Sequence, residues 1–141
     1  MEKAGRSGGL LLSMEPSFDR LFTLPEANLA LEKLRPIVAD LIQARARLLE
    51  MQPALAPVLQ KMLGNGGSRL TAELFETFER LRADARAIEA MGVVLKDLEN
   101  GLLDFPSERD GQVVFLCWRY DEPSVAHWHT LDAGFAGRQA I

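Results

Sequence analysis

The hydrophobic pattern divides the chain into a helix-forming first part and a strand-forming second part. From residue 24 to residue 55, apolar side chains recur every three or four positions, and Arg45 is the one charged residue in the series. This spacing is typical of an amphipathic, coiled-coil-like helix that buries one face against a partner. The apolar positions of the series are Leu24, Ala27, Leu31, Leu34, Val38, Leu41, Leu48 and Leu55.

The first helix has a clear start signal. Thr23 and Glu26 have the spacing of a capping box, in which each side chain binds the backbone N–H of the other residue. Pro25 falls in the first turn, where its missing N–H leaves no hydrogen bond unmade. We therefore predict a helix over about 24–51. Because prolines then interrupt the pattern, we expect only a shorter helical piece up to about Leu63.

A second helix follows the sequence 64-GNGG-67, which favours a tight reversal of the chain. Thr71 is the predicted cap of this helix, which should run to about Met91 and end at Gly92. Two helices joined by a short glycine-rich turn pack side by side in opposite directions. The first two thirds of the chain therefore predict a long antiparallel helical hairpin.

After Gly92 the apolar period changes from that of a helix to that of strands. Apolar runs at 93–95, 102–105, 113–120 and 125–129 predict strands, and Asp110-Gly111 is a typical two-residue hairpin turn. The result is a small antiparallel β-meander of three or four strands. A sheet of that size needs one covered face, and the hairpin supplies the cover. The predicted fold class is α+β, with the hairpin packed on the C-terminal meander.

Composition fits one compact domain. A chain of 141 residues with 48% hydrophobic content can build one modest core. We expect a flexible tail over residues 1–20 and a single domain over 21–141, made of a hairpin (24–91) and a β unit (92–141).

No apolar run approaches the roughly 20 residues that cross a bilayer, so we expect no membrane partner. Cys117 is the sole cysteine, so we expect a cytoplasmic, reducing location.

Charge is distributed unevenly along the chain. The net charge is −4, and residues 92–141 carry four basic and eight acidic side chains, which is a difference of the same size. Lys and Arg do not cluster as phosphate contacts require, so we expect no nucleic-acid partner. An acidic region favours a cation or a cationic partner. The alternative is an ordinary solvated acidic surface.

Several stretches resemble a known family. They are FTLPEAN near the start of the first helix, GNGG between the helices, and LKDLENGLLDFP, LCWR and WHTLDAGFAGRQ in the second part. Over about 21–141 the chain resembles an uncharacterised bacterial family, a domain of unknown function. The resemblance implies a helical hairpin with a small β unit, and no activity. One position departs from the pattern, because His127 replaces an aromatic or other residue, which argues against a site that needs both histidines.

The densest chemistry lies in 125-VAHWHTLDAGFAGR-138. On a strand His127 and His129 would point to the same face, while Trp128 would point into the core. Two such histidines can ligate one ion, and Asp132 or Asp104 could complete the set around a divalent metal. Otherwise the chain suggests no cofactor. The alternative is a strand with two ordinary surface histidines.

Other candidate groups have simpler interpretations. Cys117 could act as a nucleophile beside a histidine, but an acidic neighbourhood favours a buried, inert thiol. The aspartates of the β unit could act as a paired acid and base, or simply form turns. Arg138 and Arg119 could contact an anion or a partner, although Arg138 could equally pair with Asp132 or Asp104.

Two functional hypotheses follow. The first is a non-enzymatic interaction module whose wide helical stripe is completed by self-association, as a dimer with a four-helix arrangement. The second is a metal-binding module or metal-dependent hydrolase, with its site around His129, Asp132 and Asp104. The protein partner, if it is another chain, is not specified by the sequence.

Overall fold

The computed structural model describes residues 17–54 and 69–141 and confirms the α+β fold class. The expected helical piece up to Leu63 and the GNGG reversal lie outside the described residues. Residues 1–16 of the expected tail also lie outside them. In chain order the elements are α1 (Leu24–Met51), a 3₁₀ turn (Gln52–Ala54), α2 (Arg69–Ala90), β1 (Val94–Asp97), β2 (Leu102–Arg109), β3 (Gln112–Arg119), β4 (His127–His129), a 3₁₀ turn (Phe135–Gly137) and β5 (Gln139–Ala140).

Helix α1 begins where the capping box predicts. The backbone N–H of Glu26 donates to the Thr23 hydroxyl at 3.2 Å, and the backbone N–H of Thr23 donates to the Glu26 carboxylate at 2.9 Å. Pro25 occupies the first turn, and Pro36 lies inside the helix without ending it. Neither described helix is both long and apolar enough to cross a membrane.

The two helices pack antiparallel. Arg47 of α1 is paired with Glu73 of α2. Asp40, two turns earlier in α1, is paired with Arg80, two turns later in α2. From the first ion pair to the second, the residue number falls along α1 and rises along α2. The two helices must therefore run in opposite directions. The hairpin predicted from the apolar period is therefore confirmed.

The strands form one antiparallel sheet in the order β1-β2-β3-β4-β5. Asp110 and Gly111 both have positive φ, 52° and 79°, and form the two-residue turn between β2 and β3. Positive φ at both turn residues matches the twist of the flanking strands. The pattern did not predict β5, which is only two residues long.

One sheet face, which we call the inner face, packs against the helices. Its residues Leu103, Phe105, Leu116 and Trp118 are buried with the apolar stripe of α1. Trp128, placed in the core by the sequence, is half-buried and packs against the same cluster. Other members of the core are Phe22, Ala27, Leu31, Leu34, Val38, Leu41, Ile88, Val93 and Val125.

The opposite sheet face, which we call the outer face, is covered by short segments rather than by helices. Phe18 packs edge-on against Phe115 with ring centroids 5.5 Å apart. At the other side, Arg138 of the C-terminal segment stacks over Phe135 and donates to Glu122. These contacts close the face on which the candidate chemistry lies.

Candidate metal centre

The register of the sheet places the candidate side chains together on the outer face. Asp104 of β2 pairs with Cys117 of β3, and Cys117 pairs with His127 of β4. His129 lies two residues further along β4, opposite Phe115. Because side chains alternate between faces along a strand, all four residues belong to the outer face. The expectation that His127 and His129 share a face agrees with this register.

Both ring nitrogens of His129 lie close to oxygen atoms. Its Nδ1 lies 2.7 Å from the backbone oxygen of Thr130. A carbonyl oxygen only accepts, so Nδ1 carries a hydrogen and donates it. Nε2 lies 3.1 Å from each carboxylate oxygen of Asp104. His129 is therefore fixed in orientation, with Nε2 aimed at the carboxylate.

The contact between His129 and Asp104 depends on what the Nε2 atom carries. In a neutral imidazole that donates from Nδ1, Nε2 presents a lone pair. A lone pair facing two carboxylate oxygens at 3.1 Å is repulsive. A hydrogen on Nε2 or a metal ion between the two groups would make the contact favourable. With residue exposures of 1% for both, solvent cannot separate them.

Cys117 completes the cluster from the neighbouring strand. Its side chain is fully buried, and burial, followed by the nearby Asp104 carboxylate, raises the pKa of its thiol to about 12. Such a thiol is protonated and is a poor nucleophile. The alternative of a Cys/His nucleophilic pair is therefore disfavoured, whereas a metal ion could displace the thiol proton.

Lys96 approaches the cluster from the edge strand β1. Its Nζ lies 3.5 Å from Oδ2 of Asp104 and 4.7 Å from the centre of the Phe115 ring. The Lys96 side chain is 37% exposed, while that of Asp104 is 2% exposed. Lys96 therefore lies between the buried carboxylate and water.

Three ligand types meet in one small volume. Donor atoms of Asp104, Cys117 and His129 all lie within 4.8 Å of one another, and they form the metal-competent group among residues 17–54 and 69–141. We call these three residues the DCH cluster. Around a tetrahedral zinc ion, donors at about 2.0–2.3 Å from the metal lie roughly 3.3–3.8 Å apart. Small shifts of the side chains would bring all three donors into this range.

His127, proposed as a ligand from the sequence, is engaged elsewhere. Its Nδ1 accepts a hydrogen bond of 2.8 Å from Arg138. The same guanidinium donates to Glu122 at 2.8 Å, so Arg138 pairs with Glu122 rather than with Asp132 or Asp104 as the sequence suggested. His127 is next to the DCH cluster in register, but its ring does not join the cluster.

Asp132 lies outside the cluster. It is exposed and accepts a hydrogen bond of 2.8 Å from the hydroxyl of its neighbour Thr130. Arg119 is paired with Asp121, its Nε 2.7 Å from the carboxylate, and stacks on Phe135. The structure thus brings together His129 and Asp104 of the predicted ligands.

Cys117 was not among the candidate ligands predicted from the sequence, although the structure places it in the DCH cluster. The available signal was the strand alternation, which places Cys117 on the face of Phe115 and Arg119, and the prospect that it would neighbour a histidine across the ladder. The register that sets Cys117 beside Asp104 could not be read from the chain, because it depends on how three strands align.

Comparisons with known proteins identify the family of this chain. No curated protein and no solved structure matches the chain. A model of the family described as "Uncharacterized conserved protein (DUF2203)" matches residues 20–141, which include both helices and the whole sheet. The chain therefore belongs to the DUF2203 family of uncharacterised conserved proteins.

Proposed function

We propose that the protein is a metal-binding module that holds one divalent transition-metal ion, zinc by preference, in the DCH cluster. The observation that carries the proposal is the position of His129. Its Nε2 faces both oxygens of Asp104 at 3.1 Å, and its Nδ1 is committed to the Thr130 carbonyl. Metal-ligating histidines characteristically donate their second ring N–H to a carbonyl or carboxylate in this way.

The ligand set favours zinc over magnesium or calcium. Magnesium and calcium take oxygen ligands, whereas a thiolate and an imidazole suit zinc and similar ions. Cys117 and Asp104 would together supply two negative charges, which neutralise the ion in a buried site. The fourth position of a tetrahedral ion would fall to water or to His127, which is adjacent to Cys117 in register.

Burial supports a structural role for the ion rather than hydrolysis. Asp104, Cys117 and His129 have exposures of 1%, 0% and 1%, so a substrate has no access to the donor atoms. A cavity of about 540 Å³ lies at the start of α1, and none of these three residues lines it. We infer that the ion would tie β2, β3 and β4 together on the outer face. A reducing compartment such as the cytoplasm would keep the Cys117 thiol available.

The test is the metal content and metal affinity of tag-free protein purified without chelator. We expect about one zinc per chain by elemental analysis. Titration with cobalt should produce a thiolate charge-transfer band, because Cys117 would become a ligand. Cys117→Ser and Asp104→Asn preserve side-chain size and should weaken binding by more than about 100-fold.

Asp132→Asn is the matched control, because Asp132 carries the same carboxylate outside the cluster. His127→Gln distinguishes the fourth ligand: weaker binding in this variant assigns the position to His127, and unchanged binding assigns it to water. If folded wild-type protein takes up neither zinc nor cobalt, the proposal is wrong.

Self-association is the second candidate function, and exposed aromatic side chains on α2 favour it. Phe75 and Phe78 are 58% and 47% exposed and lie three residues apart on one helix face. The buried core cluster includes α1 residues up to Leu41 and Ile88 of α2. Leu81 of α2 is partly buried and packs against this cluster. The end of the hairpin that carries Phe75 and Phe78 thus extends beyond the sheet. We propose that a second copy of the chain covers it in a four-helix dimer.

Sedimentation equilibrium tests this second candidate. We expect the wild-type mass to approach that of a dimer with rising concentration, and Phe75→Glu with Phe78→Glu to give a monomer of unchanged circular dichroism. Leu29→Glu is the matched control, since Leu29 is 67% exposed but lies on α1 at the sheet end. A wild-type monomer at every concentration would contradict the candidate.

A further inference from the structure

Lys96 lies on the outer face beside the DCH cluster, two residues after Val94, and coincides with an irregularity in the sheet. Val94 pairs with Asp104 and Leu95 with Leu103, but Asp97 pairs with Leu102, so Lys96 is left without a partner. An extra residue of this kind is a β-bulge, which re-aims its side chain and is frequent beside functional sites. Here the bulged residue Lys96 holds its ammonium 3.5 Å from the buried Asp104 carboxylate.

We propose that Lys96 is an exchangeable counter-ion, which balances Asp104 in the metal-free protein and is displaced into water when a metal ion binds. This inference rests on the proposed function and adds its regulation: the lysine would set the affinity of the site and guard its entrance. The class of ligand is the same divalent transition-metal ion.

The charges explain why the two cations exclude each other. Asp104 is 1% exposed, and its carboxylate contacts Lys96 and His129. A divalent ion on the same carboxylate would repel an ammonium that lies 3.5 Å away. The Lys96 side chain is 37% exposed, so its long stem can carry the charge into solvent without crossing the core.

The position of Lys96 also explains its role at the entrance. The Lys96 ammonium lies over the Phe115 ring, with Nζ 4.7 Å from the ring centroid. The Phe115 ring also contacts the His129 ring, with 5.6 Å between the two centroids. Phe115 is itself buried, so the partly exposed Lys96 is the member of this group that reaches solvent. An incoming ion would therefore meet the ammonium before it meets the donor atoms.

The first experiment compares metal affinity in Lys96→Met and wild type by competition with a chromophoric zinc chelator. Methionine keeps the apolar stem over Phe115 and removes the charge. We expect zinc to bind at least about threefold more tightly in this variant, because binding no longer breaks an ion pair. Lys33→Met, on the exposed surface of α1, is the matched control and should leave the zinc affinity unchanged.

The second experiment measures the reactivity of the Lys96 amine with acetic anhydride, by mass spectrometry, with and without zinc. We expect zinc to raise acetylation of Lys96 and to leave that of Lys33 unchanged. In Cys117→Ser, which lacks a ligand, zinc should have no effect on either amine.

The outcomes separate the two proposals. If wild-type protein binds no zinc, the proposed function is wrong, and this inference with it. If zinc binds to the DCH cluster but the Lys96→Met affinity and the Lys96 acetylation both stay at their original values, the proposed function stands and the counter-ion role of Lys96 is overturned.

Discussion

Gly101 lies in the turn between β1 and β2, in close contact with helix α1. Its φ of +67° lies in the left-handed region, and a Cβ there would lie 2.6 Å from a methyl carbon of Val38 and 2.9 Å from Cβ of Tyr120. Glycine is required at this position for two reasons, because both the backbone conformation and the helix contact exclude a side chain. The sequence marked Gly101 only as a turn between strands.

Gly101→Ala should therefore be strongly destabilising. We expect a loss of about 3 kcal/mol in the free energy of unfolding, from a strained φ and an overpacked helix–sheet contact. Urea denaturation followed by tryptophan fluorescence measures the change, since Trp118 lies in the core. Gly111→Ala is the control: Gly111 also has positive φ but no atom lies within 4 Å of its added Cβ, so about 1 kcal/mol is expected. Equal losses in the two variants would contradict the packing argument.

At the scale of elements, a carboxylate pair links the two helices. Burial and the neighbouring Asp40 raise the pKa of Asp84 from its usual 3.8 to about 7, with Arg80 acting in the opposite direction. Oδ2 of Asp84 is buried and meets no hydrogen-bond donor within the described residues, so a proton on Asp84 can be shared with Asp40. The same shared proton and Arg80 lower the pKa of Asp40.

This pair predicts a pH dependence of stability. Between about pH 4 and about pH 7 the folded Asp84 binds a proton that the unfolded chain does not, so the free energy of unfolding falls as pH rises through this window. Asp84→Asn should remove that slope and be more stable, relative to wild type, at about pH 8 than at about pH 5. Thermal denaturation at several pH values measures both effects.

Glu76→Gln provides the comparison for Asp84→Asn. Glu76 is an exposed carboxylate of the same helix, so its neutralisation should leave the slope of wild type in place. A slope that persists in Asp84→Asn would assign the pH dependence to other groups and would contradict a shared proton between the helices.

At the same scale, the elements themselves follow from local sequence. The start of α1 at Leu24 and the Asp110-Gly111 turn were predicted correctly, because a capping box and a two-residue turn depend on residues within three positions of one another. Strand β5 was not predicted. Its residues Gln139 and Ala140 pair with Trp128 and His127, and a two-residue strand has no periodic signal of its own.

At the scale of the whole molecule, the two faces of the sheet have different roles. The inner face carries the apolar core against α1, and the outer face carries the DCH cluster under Phe18 and the C-terminal segment. The apolar core and the DCH cluster therefore lie on opposite faces of the sheet. The core can persist in variants of the cluster, which is why Cys117→Ser and Asp104→Asn are informative tests.

The sequence by itself determined the helical hairpin, the strand-forming second part and the shared face of His127 and His129, because each depends on short-range periodicity or turn chemistry. Only the tertiary structure decided which donors meet. His129 and Asp104 are 25 residues apart, and Cys117 joins them through the alignment of β2, β3 and β4. A slip of one residue in that alignment would turn a strand's side chains to the other face. Asp132, close to His129 in sequence, lies beyond the end of β4 and so stays outside the cluster.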